Sequence, residues 1–127
     1  MKMKQKTIGS FYMGRESVQL VLREGTGGEF FMSPELGSIA RIKVGAEHEE
    51  WDRVLAVLLH EAMELAYEKL GRRYDVTNDF SGDHSTYLFV VPHVAFSNAC
   101  AMVAEFVAAC SPGLKKEWKK FYSKTKK

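Results

Sequence analysis

His60, Glu61 and Glu64 are the residues of this chain whose types and spacing can do chemistry together. Side chains four apart on a helix are neighbours on its surface, so the His60 imidazole and the Glu64 carboxylate can reach one ion. Imidazole nitrogen and carboxylate oxygen are both ordinary zinc ligands. Glu61 follows about 100° further round the helix, where a carboxylate can take a proton from a metal-bound water. The same spacing also serves an ion-paired or hydrogen-bonded couple that holds no metal. A third ligand has to come from elsewhere, and His84 is the first candidate, with Asp83 beside it and His93 further on as alternatives. The plainer roles are an exposed loop histidine for His84 and a helix cap for His93, whose neutral form is favoured near a helix N-terminus. His48 lies more than three turns ahead of His60 on the same helix, too far to share its ion.

The elements that must position these residues are legible from periodicity. A long helix is expected from about His48 to about Leu70, with Gly71 as its C-terminal stop. Trp51, Val54, Leu55, Leu58, Ala62, Leu65 and Ala66 share one broad face of it, the face that packs on a sheet. His60 and Glu64 fall on the other side with Val57, Leu59, Met63 and Tyr67, an apolar neighbourhood that predicts a cover from the later helix Ala95 to Cys110. Ser17 to Arg23 and Ser38 to Val44 alternate as strands. Glu24 to Gly28 is a glycine-rich turn, and Glu29 to Met32 pairs back as a short strand. Arg72 to Ser85 reads as irregular and Thr86 to Val91 as an apolar strand. After Pro112 and Gly113 a separate basic helix is expected from Leu114 to about Tyr122, with Trp118, Phe121 and Tyr122 as its inward stripe. The order β-β-β-α-β-α-α predicts an α+β fold, a small and mostly antiparallel sheet on a long motif helix with two C-terminal helices.

Composition sets the outer limits. A length of 127 residues suits one domain spanning 1–127, and 46% hydrophobic with 27% charged residues is the balance of a soluble globular chain. No run of about 18 uninterrupted apolar residues is present, so neither a membrane span nor a signal sequence is expected, and the location expected is cytoplasmic. Cys100 and Cys110 sit about 15 Å apart along one helix, beyond disulfide reach, and are expected to be buried thiols. Residues 115–127 hold seven lysines and one acid, a local +6 that leaves −4 on the rest of a chain of net +2. This basic tail makes nucleic acid or an acidic protein admissible partners, although it contains no arginine, the residue suited to phosphate and base recognition. There is no Rossmann fingerprint, Walker motif or nucleophile elbow.

Leu58-Leu59-His60-Glu61-Ala62-Met63-Glu64 resembles the H-E-x-x-H helix of the zincin metallopeptidases, and the strands leading into it are similar to the minimal core of that superfamily. The stretch from Leu58 to Phe106 also looks like small proteins of phage and mobile-element origin, a likeness that brings no activity with it. The zincin resemblance implies zinc held by His60 and Glu64 with His84, and Glu61 as the base of a peptide hydrolysis. Glu64 departs from the pattern, standing where the second histidine belongs; a second anionic ligand raises the pKa of zinc-bound water. The strand order departs too, because a zincin edge strand precedes the motif helix whereas Thr86 to Val91 follows it. The expectation is a degenerate zincin-like domain, an accessory protein that acts through interactions with a protein partner. A zinc-dependent hydrolase, most naturally a peptidase, is the alternative.

Overall fold

Among the residues described, 4–31, 40–70, 73–75, 87–89 and 92–125, the computed structural model has six strands and two helices; for 73–75, 87–89, 124 and 125 the backbone alone is described. They are β1 (Gln5–Met13), β2 (Glu16–Arg23), β3 (Gly28–Phe31), β4 (Ala40–Gly45), α1 (Trp51–Lys69), β5 (Arg73–Asp75), β6 (Tyr87–Phe89) and α2 (His93–Thr125). The class is α+β, as expected.

Alternation decides which side of each strand is buried. Val18, Leu20 and Leu22 of β2 and Ala40, Ile42 and Val44 of β4 project to one side and are buried. The main sheet runs β1-β2-β4-β3. Two of its pairings are antiparallel, but the central pair, β2 with β4, is parallel, so the sheet is mixed. The parallel pair arises because β4 inserts between β2 and β3 instead of leaving them as a hairpin. The turn that frees β3 uses Gly25 and Gly27 at positive φ, a conformation open to glycine at little cost.

β1 is an element that the sequence reading leaves out. Its pairing with β2 shifts register between Thr7 and Gly9, a bulge that places one residue more on β1 and breaks the two-residue alternation. The strand Thr86 to Val91 was expected as an edge of the sheet. Its described part, β6, instead pairs antiparallel with β5 in a second, two-stranded sheet, and β5 itself falls in the stretch read as irregular. Both edges of the main sheet, β1 and β3, precede α1 in the chain.

Both helices cover the same side of the sheet. α1 packs on β3 and β4, and α2 on β1 and β2. They run in opposite directions: Trp51 at the start of α1 meets Trp118 late in α2 at 5.8 Å between ring centroids, and Tyr67 late in α1 lies beside Cys100 early in α2. The core face read for α1 holds, with Val54, Leu58, Ala62, Leu65 and Ala66 buried and Trp51 and Leu55 packed against them. Each large side chain buried there stabilises by about 1.5–3 kcal/mol.

Two expectations about α2 are corrected. It is one continuous helix through Pro112 and Gly113, not two. Pro112 is exposed, and so is Ala108 one turn earlier, so the carbonyl that loses its helical partner faces water. Cys100 is exposed while Cys110 is buried; ten residues advance about 1000°, which leaves the two roughly 80° apart round the axis. The inward stripe read for the last turns holds: Trp118 is buried, and Phe121 and Tyr122 pack on the core. By length and composition α2 is also apolar enough over an 18-residue window to cross a bilayer, which the rule of an uninterrupted run misses because of Ser97, Asn98 and Glu105. Its inward stripe, Ala99, Val103, Phe106, Cys110, Leu114 and Trp118, is packed in the core.

Candidate functional site

α1 brings His60 and Glu64 together as their spacing requires. The His60 Nε2 stands 3.2 Å from Glu64 Oε1 and 4.0 Å from Glu61 Oε2. Two ligands of a tetrahedral zinc, each bonded at about 2.0–2.1 Å, are separated by about 3.3 Å. The His60–Glu64 pair therefore matches one edge of such a tetrahedron, and it equally makes an ion pair whenever the imidazole is protonated.

The surroundings differ from the expectation. The His60 side chain is 65% exposed, so the cover expected from Ala95 to Cys110 does not reach it, although Cys100 of that segment lies beside Tyr67. The reason is angular: the sheet and α2 take the arc of α1 from Val54 through Ala66, and His60 sits about opposite its centre. His60 and Glu64 border an open depression of about 330 Å³ lined also by Ala56, Leu59, Met63 and Tyr67. Tyr67 is buried, and burial, with the neighbouring Cys100 thiol adding to it, pushes its hydroxyl pKa above the usual value.

Glu61 has a different setting from its neighbours. It is 7% exposed, the buried charged residue of the described core, and it points to the flank where β3 lies. Gly28 of β3 makes room for it: a Cβ there would come within 3.0 Å of Glu61 Cγ and 2.7 Å of Val57 Cγ1. Gly28 is thus a residue of the site that the sequence reading takes only as part of a turn. Its one sequence signal is the third glycine after two that the turn itself consumes.

Among the described residues no further ligand candidate joins the pair. Asp83 and His84 lie outside the described residues. His93 is the exposed first residue of α2, and among the described residues no group of three or more His, Cys, Asp or Glu side chains is placed to hold a metal ion. Zinc needs at least three protein ligands, so the described donors match part of a zinc site and do not complete one. His48, set aside on distance, accepts a hydrogen bond from the Gly27 N–H at 3.3 Å, and its carbonyl accepts one from Trp118 Nε1 at 3.1 Å. It joins the turn after β2 to the end of α2.

Comparison with protein-family models, with curated proteins and with solved structures finds no match to this chain. Function has to be argued from the geometry alone.

Proposed function

We propose that this chain is an accessory protein of phage type that acts by binding a partner, on a degenerate zincin-like scaffold whose H-E-x-x-E helix no longer runs a hydrolysis. The observation that carries this reading is the exposure of His60 on the outward side of α1, above an open depression. Catalytic electrostatics act in a water-excluded site of low dielectric, and a two-thirds exposed imidazole stands in the opposite surroundings. Glu64 adds to the argument, because an anionic ligand in place of an imidazole makes any bound water less acidic. On this reading Leu59 and Met63 form an apolar contact surface, and the His60–Glu64 pair is its polar edge. The test is elemental analysis of protein purified without added metal or chelator, with peptidase assays of the parent and Glu61→Gln. Metal-free protein with no activity difference supports the binding role.

A second reading has its own support. The 3.2 Å between His60 Nε2 and Glu64 Oε1 suits two zinc ligands, and the edge strand β3 precedes α1 and flanks Glu61, as in the zincin pattern. A zinc-dependent peptidase on these residues uses His60, Glu64 and His84 as ligands and Glu61 as base. It requires about one zinc per chain, lost in both His60→Ala and Glu64→Ala, and a cleavage activity lost in Glu61→Gln. Those results together displace the binding role.

A further inference from the structure

The side of the main sheet that faces away from both helices carries an arrangement that neither reading of α1 uses. One row across it runs Ser10, Gln19, Arg41 and Phe31, each paired directly with the next. The adjacent row holds Val21, Lys43 and Glu29. Directly paired residues project to the same side, and the alternate residues of these strands are the ones buried under the helices, so both rows project away from the helices, with Val21 among them only 2% exposed. Tyr12, two residues beyond Ser10, projects with them. Tyr12 is 66% exposed and Phe31 48%. With strands about 4.8 Å apart and a rise of about 3.4 Å per residue, the two rings stand roughly 16 Å from each other.

By register Arg41 lies between the rings, in the row of Phe31, and Lys43 lies one row further from Tyr12. The Lys43 ammonium sits 5.8 Å over the Phe31 ring. The Nε of Arg41 is buried and has no hydrogen-bond partner among the described residues. The acid in these rows, Glu29, is already held by Arg23 at 2.6 Å, so both cations remain uncompensated within them.

We propose that this face binds single-stranded nucleic acid, with bases stacked on Tyr12 and Phe31 and phosphates held by Arg41 between the rings and by Lys43 beside Phe31. Stacking on aromatic rings and neutralising phosphates are the two terms that dominate single-strand binding. An arginine guanidinium matches phosphate geometry, and Ser10 and Gln19 offer donors and acceptors to base edges. A sheet of four strands is too wide to enter a B-DNA major groove of about 12 Å, which favours a single strand over a duplex. The basic end of α2 is the poorer site. Trp118 is 7% exposed, and Phe121 and Tyr122 pack on the core, so its lysines come without a stacking surface. An acidic protein would use Arg41 and Lys43 but leave the two exposed rings without a role.

The test is fluorescence anisotropy of the full chain with labelled 12-nucleotide dT and U strands and a duplex of the same length. The single strands are expected to bind more tightly than the duplex. Tyr12→Ala and Phe31→Ala are each expected to weaken binding about fivefold or more. Arg41→Ala with Lys43→Ala is expected to flatten the dependence of log affinity on log salt by about 1.4. Because Arg41 is half-buried, Lys43→Gln alone serves as a second variant, with a change of about 0.7, and thermal melting reports that each variant is folded. No binding at about 50 mM salt overturns the proposal, as does a preference for the duplex. So does parent-like binding by Tyr12→Ala and Phe31→Ala while Lys116→Gln with Lys119→Gln weakens it. This inference goes beyond the role proposed for α1 and does not rest on it, so zinc analysis and anisotropy succeed or fail separately.

Discussion

Replacing Gly28 by alanine tests how β3 is seated against the helix that carries His60 and Glu61. The new Cβ would lie 2.7 Å from Val57 Cγ1, 3.0 Å from Glu61 Cγ and 3.0 Å from the Lys43 carbonyl oxygen. The valine is β-branched and stiff about χ1. The carbonyl belongs to β4, whose pairing with β3 begins at Gly28, so it moves only if the ladder moves. Overpacking of this kind costs about 1–3 kcal/mol. Gly28 is not at positive φ, so alanine also recovers about 0.4–1 kcal/mol from a less disordered unfolded chain. The net expectation is a loss of about 1–2 kcal/mol, and at about 2.1 cal/mol/K per residue this lowers Tm by about 4–7 °C. The assay is thermal unfolding of the parent, Gly28→Ala, Val57→Ala and the double variant. Removing Val57 Cγ1 should relieve part of the strain, a coupling of at least about 0.5 kcal/mol. A Gly28→Ala protein as stable as the parent, or four values that add within about 0.3 kcal/mol, would refute the packing of β3 on α1.

Burial pushes the Cys110 thiol pKa up to about 12, whereas Cys100 is exposed. One thiol per folded chain should react with Ellman's reagent at neutral pH, and the second only after denaturation. Phe106 is fully buried and meets Phe11 edge-on at 6.3 Å, so Phe106→Ala should cost about 3–5 kcal/mol by urea unfolding. Lys6 stands 3.0 Å from Glu117, and its hydrogen bond, with Lys120 nearby, holds the Glu117 carboxyl below the usual range. A carboxyl lowered in the folded state stabilises above its unfolded pKa and loses that contribution as pH falls through its folded value. Lys6→Ala should therefore lower the unfolding midpoint near neutral pH and lose less stability than the parent on acidification below the ordinary glutamate value. Parallel pH profiles for the two proteins would contradict that link.

What could be read from the sequence follows from where one physical signal acts alone. The core face of α1 and the strand β4 carry unbroken periodicity, β2 breaks it only at Val21, and Val54, Leu58, Leu65, Val18, Leu20 and Ile42 stand where it puts them. β1 was hidden because its bulge breaks the alternation. The continuity of α2 was hidden because Pro112 usually ends a helix, and whether it does depends on the exposure of the carbonyl one turn back. The parallel pairing of β2 and β4 depends on which strand inserts between which, and short-range pattern holds no record of that. In the site, spacing placed His60 beside Glu64. It did not show that Glu61 turns into a pocket kept open by Gly28, because that contact spans 33 positions of the chain.

The main sheet is assembled from residues 5–45, and all that covers its apolar side comes later in the chain. On the ribosome, at roughly 5–20 residues per second, the residues from Ala46 to Trp118 take about 4–14 s to appear. For that interval Val18, Leu20, Leu22, Ile42 and Val44 form an oily slab with at most part of its cover in place. The fastening of Trp118 to the His48 carbonyl is among the last to be synthesised. A nascent chain of this design depends on what shields the slab while it waits, and a premature stop before α2 would leave its β1 and β2 part bare for good.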